Sequence, residues 1–154
     1  MYRNVMVPVD GSSFSKEAVS QGLRLAKSCG ARLHLVKVAA TPGIPAMPGN
    51  DDVHTNDIAA LYALAADCRA NSNVVVKAIL EVGPVVDALV GYARRSGIDL
   101  IVMRTHARRG FARVWFGSVA DALIRESGIP VLVVHPTVDA WKSVNEEASA
   151  AVAV

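Results

Sequence analysis

The residues of this chain best suited to chemistry stand together between positions 104 and 118. Five basic side chains, Arg104, His106, Arg108, Arg109 and Arg113, crowd a loop that leads to Gly117-Ser118. An apolar run, Leu100-Ile101-Val102-Met103, precedes the loop and reads as a fully buried strand. After the loop, Ser118 is placed to cap a new helix, and Asp121 three residues on completes a capping-box spacing. Strand, loop and helix N-terminus in succession bring free backbone N–H groups and the positive end of a helix dipole to one place. The chemistry this implies is the holding of an anion. Gly117 permits close backbone approach, and Ser118 adds a hydroxyl.

A second candidate, Asp10, directly follows the apolar run 5–9 and feeds Gly11-Ser12-Ser13. As a residue type it serves equally as a turn former or as an acceptor facing a ligand. His106 has the chemistry of an acid or base, but no Cys, Ser or Asp is placed beside it as a triad would suggest. His34, His54 and His135 are scattered and predict no metal site. Neither a Walker-type Gly-Lys-Ser/Thr segment nor a carboxylate cluster for Mg²⁺ stands out. Trp115 and Phe116 are expected to pack the return of the basic loop against the body of the protein.

The elements that must position these residues follow a regular alternation. Apolar runs at 5–9, 32–39, 74–82, 100–104 and 131–134 predict five strands, with Pro8 near the end of the first because it cannot donate to a ladder. Helices are predicted between them. The first is capped by Ser12 or Ser13, carries Glu17 near its start and shows Phe14, Ala18, Gly22, Leu25 and Cys29 at helical spacing before Gly30. The second starts at Thr55 or Asn56, with Ile58, Leu61, Ala65 and Cys68 on its buried face. The third begins at Pro84, carries Val86, Leu89, Val90 and Ala93, and stops at Gly97. The fourth runs from 118 to 126. Residues 41–50, with three prolines and two glycines, predict a loop. Strands alternating with helices predict an α/β fold with a parallel sheet covered on both faces.

On these residues the chain resembles the universal stress protein family, from about Tyr2 to Pro136. The family's ATP-binding members carry Gly, two residues, Gly, nine residues, then Gly followed by Ser or Thr. Here the nine residues 108–116 separate Ala107 from Gly117-Ser118, so the spacing and the final pair match. Arg104 and Ala107 replace the two early glycines. The resemblance implies a three-layer sandwich whose five-stranded parallel sheet has the order 3-2-1-4-5. It implies a ligand, ATP or a related adenine nucleotide with Mg²⁺ as an optional companion. The adenosine would lie near Val9, Asp10 and Val38, with Pro8 lining its pocket, and the phosphates near Gly117, Ser118 and the basic loop with Arg104, His106, Ala107 and Arg109; Met103 and Val119 complete the nucleotide-binding set. Ala107 adds one methyl, at a cost that depends on the sign of its φ. Arg104 either fills the phosphate channel or pairs with phosphate oxygens.

Three function classes follow: a nucleotide-binding regulatory protein of stress response, a dimeric stress protein that has lost nucleotide binding through Arg104 and Ala107, and a slow ATP hydrolase or nucleotidyl transferase. The reading adopted is the first, not an enzyme. The family's strand order places the fifth strand at an edge. Val131, Leu132, Val133 and Val134 form an uncharged run there, which predicts a homodimer by pairing with a second copy.

Composition bounds the rest. The 154 residues suffice for one domain, expected over 1–136, with 137–154 as a flexible tail. Hydrophobic residues make up 52 % and aromatics 5 %, which predicts a core of Val, Leu, Ile and Ala. A net charge of +2, with the basic residues gathered in one loop, predicts no nucleic-acid partner. No run approaches the roughly 20 apolar residues of a membrane span, and the start has no signal-peptide pattern. A cytoplasmic protein without a membrane partner is expected. Cys29 and Cys68 lack metal-ligand spacing and are expected as buried free thiols.

Overall fold

Alternation along the strands sets the architecture. In β1 (Asn4–Pro8), Val5 and Val7 point to one side of the sheet and Met6 to the other, and none is exposed. In β2 (Arg32–Ala39), Leu33 and Leu35 join Val5 and Val7, whereas Val36 joins Met6. In β4 (Leu100–Arg104), Leu100 and Val102 lie on the first side, Ile101 and Met103 on the second. Strands buried on both faces need a helical layer on each. The first side is covered by α1 (Ser15–Cys29) and α2 (Asp51–Ala70), through Ala18, Val19 and Ala26 of the former and Leu61, Ala65 and Cys68 of the latter. The second is covered by α3 (Val85–Arg95) and α4 (Ser118–Glu126), through Leu89, Val90, Tyr92 and Ala93 and through Ala120 and Leu123.

With β3 (Val76–Val82) and β5 (Val131–Val134) the sheet has five strands, all parallel, in the order β3-β2-β1-β4-β5. This is the three-layer α/β sandwich expected. The computed structural model describes residues 1–11, 15–39, 51–104 and 117–134, with side chains of α2 from Ile58 onward. The expected loop 41–50, the caps Ser12 and Ser13, Phe14 and the tail from 137 lie outside the described residues, as do Trp115 and Phe116.

Each fully buried Leu or Ile, such as Leu33, Leu35, Leu89, Ile101 and Leu123, contributes about 1.5–3 kcal/mol. A close helix-to-sheet contact is made at Gly22. A Cβ there would meet Val7 Cγ2 at 2.5 Å and Leu33 Cδ1 at 3.3 Å, so α1 lies directly on β1 and β2. Only a residue without a side chain fits this spacing.

Several boundaries differ from the sequence expectation. β1 runs Asn4–Pro8, so Val9 falls just beyond it, although Val9 N–H still donates to Val36 O at 2.9 Å. β3 starts at Val76 instead of 74, and α2 at Asp51 instead of 55 or 56. Pro84 occupies the cap position before α3. In α1 the buried stripe runs through Ser15, Ala18, Val19, Gly22 and Ala26, leaving Leu25 and Cys29 only half-buried. Cys68 is buried, and burial pushes its thiol pKa up; both cysteines are free thiols.

One polar group sits in the middle of the core. His34 of β2 is 2 % exposed, and its Nδ1 lies 2.7 Å from the Tyr92 hydroxyl of α3. The Arg95 guanidinium stacks over the Tyr92 ring at 5.1 Å and pairs with Glu81 of β3. Burial, with Lys77 and Arg32 nearby, pushes the His34 pKa down to about 4, so the imidazole is neutral at pH 7.

Candidate functional site

The order of the strands decides where a ligand can enter. From β1 the chain goes to β2 across one face of the sheet; from β4 it goes to β5 across the other. β1 and β4 are neighbours, so the connections leaving their C-terminal ends diverge and open a crevice. Proline ends β1, and Val9 and Asp10 turn the chain away from the sheet. β4 ends at Arg104, and α4 opens from Gly117.

A cavity of about 310 Å³ occupies this crevice. Its apolar wall is made by Val36, Val38, Val85, Leu89 and Met103. Its polar lining is Asp10, Ser15, Arg104, Gly117 and Ser118. Of the site residues named from sequence, Pro8, Val9, Asp10, Val38 and Met103 therefore lie together here, and so do Arg104, Gly117, Ser118 and Val119. His106, Ala107 and Arg109 fall outside the described residues, as do Arg108 and Arg113. Ser15, Val36, Val85, Leu89 and Ala120 were not among the residues named. Leu89 had been assigned to the apolar stripe of its helix; nothing in its spacing distinguishes a residue that packs on the sheet from one that also walls a cavity.

The N-terminus of α4 differs from the expectation in one respect. Ser118 is the first helical residue, not the cap; Gly117 holds the cap position, and no side chain caps the helix. Asp121 does not complete a capping box. Its N–H donates to Gly117 O at 3.0 Å, and its carboxylate pairs with Arg125 one turn on, at 2.8 Å. The exposed start of α4 is thus a glycine and a serine at the rim, with the positive end of the helix dipole behind them.

Arg104 is the departure from the family spacing with the largest side chain. That side chain is only 8 % exposed, and its Nε stands 3.4 Å from Glu17 Oε2 in the first turn of α1. Among the described lining residues, Asp10 and Arg104 carry the charges, one of each sign. An apolar slot beside a helix N-terminus can hold a flat, apolar group attached to an anion. Among the described residues no group of three or more His, Cys, Asp or Glu is placed to hold a metal ion. No helix there is long and apolar enough to cross a membrane.

Known proteins are similar to this chain in both sequence and fold. A universal stress protein of Methanocaldococcus jannaschii is 29 % identical over 141 residues, covering 87 % of this chain and 82 % of its own. One of Mycobacterium tuberculosis is 30 % identical over 151 residues, covering 88 % and 98 %. A universal stress protein solved in complex with cAMP is 29 % identical, superposes with a TM-score of 0.67 and covers 87 % of this chain and 97 % of that one. The family profile itself, that of the universal stress proteins, matches residues 1–135, the whole span of the five strands and four described helices, and on this evidence the chain belongs to the universal stress protein family.

Proposed function

We propose that this protein is a regulatory member of its family that binds ATP or a related adenine nucleotide in the cavity between β1 and β4. The observation that carries the reading is the meeting of Asp10, Val38, Met103, Gly117 and Ser118 around one cavity at the switch in strand order. The apolar wall suits an adenine ring, Asp10 suits a ribose hydroxyl, and the start of α4 suits phosphate. The relative solved with cAMP, an adenine nucleotide, supports the same class of ligand. The output is a conformational or assembly state, with the protein in the role of a binder and not of a catalyst.

The second part of the proposal concerns assembly. β5 stands at the edge of the sheet, and its Leu132 is 42 % exposed. A second copy pairing along this edge would cover the apolar run and close at two subunits.

Calorimetry with adenosine, AMP, cAMP and ATP tests the ligand. Binding of at least one nucleotide is expected, and Asp10→Ala combined with Ser118→Ala should weaken it by about a hundredfold. Absence of binding to the unmodified protein at millimolar ligand would overturn the reading. It would favour instead a stress protein whose cavity Arg104 has closed to nucleotides.

A further inference from the structure

We propose that the outer edge of β3 is a second self-pairing surface: two copies of this chain join there, antiparallel about a two-fold axis at Ile79, with Lys77 of each copy facing Glu81 of the other. The contact lies at the opposite edge of the sheet from β5 and is independent of the nucleotide reading.

The backbone decides which groups face outward. Val75 O accepts the Leu33 N–H at 2.9 Å, and the Gly83 N–H donates to Ala39 O at 3.2 Å. The odd-numbered residues of β3 thus turn their N–H and C=O toward β2, and Val76, Ala78, Leu80 and Val82 turn theirs to the edge. Among the described residues no strand lies beyond β3. Arg69 of α2 takes one outward group, Val76 O, with Nε at 3.0 Å and Nη2 at 2.7 Å. The outward groups of Ala78, Leu80 and Val82 present a ladder for another strand.

The side chains choose the partner and the register. Val76 and Ala78 pack on the α2 side of the sheet. Leu80 and Val82, in the same alternation, are 39 % and 58 % exposed. Ile79 packs on the α3 side, where Glu81 holds Arg95. Lys77 shares that face and is exposed. Charges on an edge normally repel a second strand. Here they are of opposite sign and lie two residues to either side of Ile79. A copy turned about Ile79 therefore sets Lys77 against Glu81 twice, at the pair positions where cross-strand side chains come closest. Ala78 and Leu80 then exchange backbone bonds, and Val76 lies opposite Val82. An axis at Lys77 or at Glu81 opposes like charges, and one at Ala78 or Leu80 sets both charges against uncharged residues. A second copy matches this spacing by symmetry alone. Glu81 must share its carboxylate with Arg95, and the paired stretch is short, so the contact is weak and needs protein at about 100 μM or above.

The test is sedimentation equilibrium from about 10 μM to about 1 mM on Val133→Lys, the variant that charges the β5 edge. A monomer at the low end and a dimer at the high end are expected. Lys77→Glu and Glu81→Lys, each added to that variant, oppose like charges and should weaken the dimer by about tenfold or more. An equimolar mixture of the two should restore it, because each then meets its opposite sign at both positions. Should Glu81→Lys not fold, amide exchange decides: the Ala78 and Leu80 N–H groups should slow with concentration in Val133→Lys and not once Lys77→Glu is added. A monomer throughout the range, a dimer that Lys77→Glu leaves unchanged, or a mixture of folded variants as weak as its components overturns the proposal. Protection of Ala78 and Leu80 already at the lowest concentration overturns it too, since another segment of the same chain would then cover the edge.

Discussion

The sheet is hollowed at both of its ends, and the two hollows are lined by different chemistry. At the N-terminal end a cleft of about 490 Å³ is lined by Arg3, Asn4, Gly30, Arg32, Gly97 and Asp99. Its polar groups hold the chain to itself. Asp99 accepts the Arg3 N–H at 2.7 Å and the Asn4 N–H at 3.0 Å, and Asn4 Nδ2 donates to Gly97 O at 3.1 Å. Gly30 and Gly97, which follow α1 and α3 at φ 65 and 62, both line it. At the C-terminal end of the strands the cavity of about 310 Å³ joins an apolar wall to the start of a helix with no side-chain cap. Two hollows of one sheet thus differ in kind. One is a seam where β1 is fastened to the turn before β4; the other has the mixed lining that a ligand with an apolar and an anionic part requires.

The contrast can be tested from the strongest effect downward. The largest belongs to the layer between the two ends, which both depend on. His34 titrates near 4 in the folded protein against 6.5 in the unfolded chain. Above pH 6.5 it is neutral in both states and stability does not depend on it. Between pH 6.5 and 4 the unfolded chain takes up the proton and the folded core resists it, so stability falls as pH falls, by roughly 3 kcal/mol in all. Urea midpoints measured from pH 7 to pH 4 should show this slope, and His34→Leu should flatten it. A slope unchanged by that substitution would place the acid sensitivity elsewhere.

Next in size is the hundredfold loss of nucleotide affinity expected for Asp10→Ala with Ser118→Ala, about 2.7 kcal/mol. The urea midpoint of that variant should move little, because Asp10 and Ser118 are exposed. The opposite end should give the opposite pattern. Asp99→Ala removes the acceptor of two backbone N–H groups and should cost about 1–2 kcal/mol of stability, with nucleotide affinity unchanged. A binding defect in Asp99→Ala as large as its stability defect would erase the distinction between the ends. The smallest effect on either hollow is expected from Val133→Lys at the β5 edge. Light scattering should show a dimer for the unmodified protein and a monomer for the variant, with affinity for nucleotide within about twofold. A monomeric unmodified protein would remove the dimer from the proposal.

Much of this was legible in the sequence, for a specific reason. Runs such as Leu100 to Met103 and Val131 to Val134 admit few readings other than buried parallel strands, and their alternation with helical segments gives the layers. The strand order came from family resemblance, and the sheet agrees with it. What failed was local. Ser118 and Asp121 fit a capping box by spacing, yet Asp121 has a closer electrostatic partner in Arg125. α1 buries Val19 and Ala26 more deeply than Leu25 and Cys29, which pack against the core only in part. The His34–Tyr92 pair could not be read at all: the two residues are 58 positions apart, and only the packing of α3 on β2 joins them. The Arg104–Glu17 pair was hidden for the same reason, since nothing along the chain links β4 to α1.

The contact at Gly22 carries a mechanical meaning for the site. Glu17 lies five positions upstream, about 7.5 Å along the helix axis, and Ser15 about 10 Å. A helix is stiff over such distances, so α1 acts as a beam resting on Val7 and Leu33. Any bulk inserted at Gly22 raises the beam at its support and carries Glu17 with it, away from Arg104. The gap between those two charges is therefore a gauge of how closely the helix is seated. A substitution buried beneath α1, with no atom near the cavity, would be read out there as a change in that distance.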